Sequence, residues 1–260
     1  MPDYLLDNAW IGALDRFALL ESIYDPASIK RMNRIGIAGG WKCFVPGAGR
    51  ASLTHWLSGQ VGESGEVFAT DIDTRLFPEQ MPPNIRWATH DISKDSLANN
   101  HFDFAHVRLL LMHLRDPMQA LQKIAHALKP GGVVLLEEYD LFSASWSGHP
   151  EITLFWEKAA AAWSKASLQF SLGARLSAMA MECGLRCSWI ESNPCSFQGR
   201  SAEANFHHMT ALQSKGKLIG PGLLTEEEFM ATMNSFSAPV RVLSGPTIVA
   251  LAAQKPELRA

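Results

Sequence analysis

The sequence predicts an open α/β domain built on a parallel, doubly wound sheet, and three observations lead there. Short apolar runs alternate with helical patterns through the first 140 residues, the rhythm of strand–helix–strand units. The first run stops on a glycine turn, Pro46-Gly47-Ala48-Gly49, that opens directly into a helical pattern. The second run ends on an acidic residue, Asp71, 24 residues after Gly47.

The elements follow in order. Residues 10–34 carry Trp10, Ile11, Leu14, Phe17, Ala18, Leu20 and Ile23 close to a 3.6-residue period, so one or two amphipathic helices come first. A strand over Trp41 to Val45 precedes the glycine turn, and Ser52, Leu53, Trp56 and Leu57 continue at helical spacing. Glu66 to Thr70 is a second strand running into Asp71-Ile72-Asp73, and Ile85 to Thr89 a third running into His90-Asp91. Phe102 to Val107 reads as a fourth strand, Met118 to Leu128 as a helix stopped by Lys129-Pro130-Gly131-Gly132, and Val133 to Glu138 as a strand covered on both faces. Helical patterns follow around Leu154 to Ala162 and Leu176 to Met181, then a strand from Arg186 to Phe197, helix over 202–236 and a closing strand from Val242 to Ala252. Right-handed crossovers restrict how these can connect. No repeat or long linker interrupts them, so residues 1–260 are expected to form one domain: a helical lid over 1–35, a core over 36–140, and lid insertions with closing strands over 141–260.

Composition narrows the function. With 47% hydrophobic and 19% charged residues and a net charge of −3, the chain can bury one sizeable core and has no broad attraction for nucleic acid or anionic lipid. The expected partners are a small, largely uncharged substrate and at most a second copy of the chain; neither nucleic acid nor membrane is expected. No basic stretch followed by an apolar run opens the sequence and no window nears a ~20-residue span, so the protein is expected to be soluble and cytoplasmic. Cys183 and Cys187 lack the two-residue spacing of zinc knuckles, Cys43 and Cys195 stand alone, and adjacent His207 and His208 diverge by ~100° on a helix. No metal site is expected.

In such a sheet, ligands bind beyond the carboxyl ends of the strands, where strand order reverses. Without a Cβ, Gly47 and Gly49 let the backbone turn sharply and approach a ligand, and the following helix aims free N–H groups at it. Asp71 stands near the ~20-residue spacing from which a carboxylate reaches ribose hydroxyls. Asp91, on the same rim, can accept a hydrogen bond from an adenine amino group. Each aspartate could equally be a solvated loop residue; together with the turn they point to a nucleoside cofactor.

These residues resemble the class I S-adenosylmethionine-dependent methyltransferases, above all bacterial small-molecule enzymes of natural-product pathways. Cys43-Phe44-Val45-Pro46-Gly47-Ala48-Gly49 is similar to the family's first motif, Ala69-Thr70-Asp71-Ile72-Asp73 to its ribose-binding strand end and His90-Asp91-Ile92 to its adenine contact. Phe102 to Leu114 and Leu128-Lys129-Pro130-Gly131-Gly132 complete the series across residues 35–140. The resemblance implies a Rossmann-like seven-stranded sheet, mostly parallel with an antiparallel last strand, capped by a helical lid. It implies S-adenosylmethionine held by Gly47, Ala48, Gly49, Asp71, Ile72, Asp91 and Ile92. Arg108 either meets the cofactor's carboxylate or packs at the sheet edge. Three positions depart from the motif: Val45 where an acidic residue is usual, Pro46 for an apolar residue, and Ala51 where a third glycine is frequent. The missing carboxylate ordinarily helps hold the cofactor's ammonium group.

Methyl transfer asks the protein mainly to position the acceptor and exclude water. Candidate catalytic groups are His113, after the fourth strand, and Glu138 and Tyr139, at the end of the fifth; His113 could instead pack a helix, and Tyr139 could simply line the pocket. Tyr4, Trp10, Phe17, Asp140, Phe206 and His207 are expected around the substrate. The 8 tryptophans and 13 phenylalanines suit an apolar acceptor, polycyclic or polyketide-like, though most serve the core. Two other functions fit the same residues: a cyclase or isomerase of this fold that does not transfer methyl, and a non-catalytic binding protein.

Overall fold

The structure is a computed structural model that describes residues 6–140, 149–165 and 168–257. Its centre is a seven-stranded sheet formed by β1 (Lys42–Pro46), β2 (Glu66–Asp71), β3 (Ile85–Thr89), β4 (Phe102–Arg108), β5 (Leu128–Asp140), β6 (Arg186–Gln198) and β7 (Val242–Gln254). The order is β3-β2-β1-β4-β5-β7-β6, and β7 runs antiparallel to both its neighbours. This is the expected mixed sheet. Strand order reverses between β1 and β4, so the crevice beyond their carboxyl ends is where a ligand should sit.

Alternating side chains of the central strands feed two cores, one on each face. On one face Cys43, Val45, Val67, Phe104 and Leu135 meet Met32 of α1 (Ala13–Ile35) and Leu53, Leu57 and Val61 of α2 (Ser52–Val61). On the other, Phe44, Ala105, Val107 and Leu136 meet Leu121 and Ile124 of α3 (Pro117–Ala127), with Phe44 stacked on Phe68 and Phe102 at centroid distances of 5.8 and 5.0 Å. Asp116 caps α3 by accepting from the Gln119 N–H, with Pro117 in the first turn.

The second half builds a helical cap. It contains α4 (Pro150–Lys165), α5 (Leu176–Glu182), α6 (Ala202–Ile219) and α7 (Glu226–Ser237), with α4, α6 and α7 packed on one another and α6 against α1. The helical stretch expected over 202–236 is formed by two helices. Gly220-Pro221-Gly222 breaks it, and Thr225 restarts it through a capping box with Glu228.

Two further expectations change. Lys129-Pro130-Gly131-Gly132 ends α3 but already belongs to β5, at the point where the β4 register shifts between Phe102 and Phe104. The N-terminal segment forms one helix whose buried positions include Arg16, Ser28 and Arg31, while Ile11 and Leu14 are exposed. The reason is what α1 meets: Ser28 and Arg31 bond polar groups of β4 and β5, and Arg16 lies over the Phe17 and Phe206 rings, while Met32 keeps the apolar contact.

Candidate functional site

A cavity of about 900 Å³ opens over the carboxyl ends of β1, β2 and β4 and reaches under α1, α4 and α6. Its two ends differ in chemistry. One holds the glycine turn, Asp71, Ile72 and Asp91; the other is walled by Tyr139, Trp156, Trp163, Phe170, Phe206 and His207.

At the first end, Gly47 and Gly49 have φ of +64° and +59°, a region that glycine enters without the steric cost other residues meet. A Cβ at Gly47 would lie 2.9 Å from Leu110 Cδ1, and one at Gly49 3.0 Å from Phe17 Cε1. Ala48 N–H donates to the Thr70 carbonyl, and Gly49 N–H to Asp71 Oδ2 at 3.0 Å, which ties the turn to the end of β2. Asp71 Oδ1 accepts from the Asp73 N–H at 3.1 Å. Burial pushes the Asp71 carboxyl above its ordinary value against these bonds. Each oxygen still has acceptor capacity toward the cavity. Gly49→Ala is expected to lose about 1–2 kcal/mol from left-handed strain, read by urea denaturation; a change below ~0.5 kcal/mol would show the turn relaxing.

Ala51 explains its own departure from the motif. It sits at φ 67°, ψ 21° immediately before α2 and is fully buried. Left-handed strain of about 1–2 kcal/mol is largely offset by burying a methyl, worth roughly 0.8 kcal/mol, and by avoiding glycine's entropy. Alanine is thus tolerated at a glycine position.

Asp91 lines the cavity with Oδ1 accepting from the Ser93 N–H and hydroxyl and Oδ2 2.9 Å from Lys94. Burial would raise its carboxyl, but Ser93 and Lys94 outweigh that and hold it below its ordinary value. Ile72 and Ile92 also line this end.

Beyond β4 the chain turns through Leu109, at φ 50°, into a 3₁₀ turn over Leu111–His113. Glu138 holds this turn: its Oε1 accepts from the N–H groups of Leu110 and Leu111 at 3.0 and 2.7 Å. This carboxyl is fully buried, is pushed up to about 8 by burial, and is absent from the cavity wall. The expectation that Glu138 faces the acceptor is corrected, because its position in β5 turns it toward backbone donors. Asp140 is not in the wall either. Trp10 is also elsewhere, its ring folded against Gly12, and Tyr4 lies outside the described residues.

His113, Tyr139, Phe17, Phe206 and His207 do line the cavity. Burial, with a smaller push from Arg16, lowers His113 to about 4, so it is neutral near pH 7. Tyr139 donates its hydroxyl to Tyr24 at 2.6 Å. Burial raises both phenols, leaving them neutral donors.

Arg108 shares the wall but is committed to α1, with Nη2 2.7 Å from Asp25 and Nη1 donating to Ser28 at 3.0 Å. Next to it lies a buried cluster on Glu137, which accepts from Ser28 Oγ at 2.7 Å and Arg31 at 2.5 Å and pairs with His106 Nε2 at 2.6 Å. His106 lines the cavity.

Sequence reasoning passed over Arg16, Glu21, His106, Trp156, Trp163 and Phe170, all in the wall. Two signals were available. His106 and Glu137 are ionisable residues inside apolar strand runs, and Trp156 and Trp163 stand two turns apart on one helical stripe.

Among the described residues, no helix is long and apolar enough to cross a membrane, and no group of three or more His, Cys, Asp or Glu could hold a metal ion. The family model described as a methyltransferase domain matches residues 45–136, from the glycine turn into β5. A curated relative, the ubiquinone/menaquinone biosynthesis C-methyltransferase UbiE of Azotobacter vinelandii, is 32% identical over 144 residues, covering 52% of this chain and 53% of its own length. The chain thus spans about half the length of the curated relatives it matches. Among solved structures, a phosphoethanolamine N-methyltransferase of Haemonchus contortus, bound to S-adenosylhomocysteine, shares the fold at TM-score 0.56 and 15% identity, over 98% of this chain and 56% of that one. The cyclase SpnF shares it at TM-score 0.52 and 15% identity, over 85% and 76%.

Proposed function

Because the chain belongs to the class I S-adenosylmethionine-dependent methyltransferase family, we propose that it transfers a methyl group from S-adenosylmethionine to a carbon of a small, apolar, oxygen-bearing aromatic acceptor. The observation that carries this reading is the continuity of the cavity: one volume joins the glycine turn and Asp71 to a wall of aromatic rings. The turn suits an adenosyl group, since Gly47 and Gly49 line the cavity without side chains and let a ligand approach the backbone there. Asp71 would take the ribose hydroxyls and Asp91, with Ile72 and Ile92, the adenine. When bound, the cofactor supplies the electrophilic methyl carbon. The relatives named for C-methylation in ubiquinone and menaquinone biosynthesis support a hydroquinone-like acceptor.

The residues of the chain position that acceptor. Trp156, Trp163, Phe170 and Phe206 exclude water and stack a flat ring. Tyr139, whose proton goes to Tyr24, offers its hydroxyl oxygen to an acceptor hydroxyl, and neutral His113 accepts from an acceptor hydroxyl, which raises electron density in the ring.

Incubation with methyl-labelled cofactor and a panel of hydroquinones and naphthols tests the reading, with label expected on a ring carbon. Acceptor conversion without label would move the function to a non-methylating cyclase or isomerase. Asp71→Ala is expected to weaken cofactor binding by about ten- to a hundredfold, the worth of a hydrogen bond to a charged group. Calorimetric titration reads it, and unchanged affinity would place the ribose elsewhere.

A further inference from the structure

Five carboxylates of the described residues line the cavity: Asp7, Glu21, Asp71, Asp73 and Asp91. Four are already engaged. Asp71 accepts two backbone N–H groups, Asp73 and Asp7 meet Arg75, and Asp91 is held by Ser93 and Lys94. Glu21 differs. Its hydrogen-bond partner is the neutral Ser52 hydroxyl, its nearest cation is Arg50, at 3.6 Å and too far for a hydrogen bond, and its side chain retains 19% exposure.

Its position gives this carboxylate a use. Glu21 follows Phe17 by one turn of α1, and the Phe17 ring lies against Gly49; Arg50, just before α2, and Ser52, its first residue, are polar neighbours of Glu21. The lid helix therefore hangs a carboxylate beside the glycine turn, over the strand end where Val45 presents only an apolar side chain to the cavity.

We propose that Glu21 binds the ammonium group at the amino-acid end of the cofactor, so that the lid helix supplies the acid that β1 lacks. The inference rests on the cavity being an S-adenosylmethionine site. A carboxylate is the strongest side-chain partner for an ammonium. The direction of the Glu21 shift agrees: burial raises its carboxyl and Asp25 adds to this, against the lowering by Arg50, Ser52 and Arg108. A bound cation would relieve that cost. Cofactor binding and the seating of α1 then become one event, because the adenosyl contacts come from the sheet and the ammonium contact from the helix.

Two ligands separate the ends of the cofactor. S-adenosylhomocysteine carries the amino-acid group; 5′-methylthioadenosine keeps adenosine and sulfur but lacks it. Calorimetric titration of the full chain and of Glu21→Gln with both ligands is expected to show about ten- to hundredfold weaker S-adenosylhomocysteine binding in the variant. Binding of 5′-methylthioadenosine should stay within twofold. The ratio of the two affinities does not depend on the folded fraction, so a partly unfolded variant still reports. Equal weakening of both ligands, or no weakening of S-adenosylhomocysteine, overturns the role of Glu21 while leaving the cofactor site standing. If the unmodified chain binds neither ligand at millimolar concentration, the cofactor reading falls and the inference with it.

Discussion

Glu137→Ala is expected to destabilise the fold by about 3–5 kcal/mol, the cost of removing one partner from a buried ion pair. Glu137 is fully buried and bonded on both oxygens, to Ser28 and Arg31 of α1 and to His106 of β4. Its removal leaves Arg31, itself 5% exposed, with Glu191 as its remaining bonded carboxylate at the sheet edge. Burial alone would raise Glu137, yet His106, Arg108 and Arg31 hold it near 2. The stability this contributes is therefore present above the ordinary carboxylate range and is lost as pH falls toward 2. Urea denaturation at pH 7 measures the loss, and a change below ~1 kcal/mol would show that the cluster contributes little. Because Arg108, Ser28 and Arg31 all act from or upon α1, the same substitution should loosen the helix that roofs the cavity. Glu137→Gln keeps the shape and should cost less.

What could be read from the sequence follows the range of the interactions. The glycine turn and the strand ends at Asp71 and Asp91 were legible because each depends on a local pattern or a short spacing, and the antiparallel last strand only through the resemblance to a common fold. The docked face of α1 was not. Periodicity ranks faces by apolarity, and by that measure Ile11 and Leu14 belong inside, whereas the structure exposes both and buries Arg16, Ser28 and Arg31. For Ser28 and Arg31 that choice is made by Glu137 and Arg108, about a hundred residues away in sequence, and for Arg16 by the Phe17 and Phe206 rings it lies over. The neighbours Glu137 and Glu138 show a second limit. Adjacent strand residues face opposite sides of the sheet, so one carboxyl meets guanidiniums and the other backbone N–H groups. Their opposite shifts, down to about 2 and up to about 8, follow from those surroundings rather than from residue type.

Three buried groups predict a stability maximum near pH 6.5. His207 lies among rings, stacked on Phe197 and Phe236 with centroids at 5.3 and 6.1 Å and edge-on to Trp156. Burial lowers it to about 3, and burial with Arg16 lowers His113 to about 4, from an ordinary 6.5. Between their folded values and 6.5 the unfolded chain binds two more protons at these sites, so stability rises with pH. Glu138 acts in the opposite sense. With a folded value of about 8 against an ordinary 4.5, it keeps one extra proton in the folded chain, and stability falls as pH rises between those limits. Each unmatched proton is worth about 1.4 kcal/mol per pH unit. From pH 5 to 6.5 the two histidines outvote Glu138 by one proton; from 6.5 to 8 Glu138 acts alone. Urea denaturation across pH 5 to 8.5 should trace that peak. Glu138→Gln, whose amide oxygen can still accept from Leu110 and Leu111, should abolish the alkaline decline and leave the acid side steeper. His207→Phe keeps the ring stack and should flatten the acid side. A maximum at pH 8 or above in the unmodified chain would mean that the Glu138 carboxyl ionises within the fold, and the 3₁₀ turn it holds would then be anchored by a buried charge.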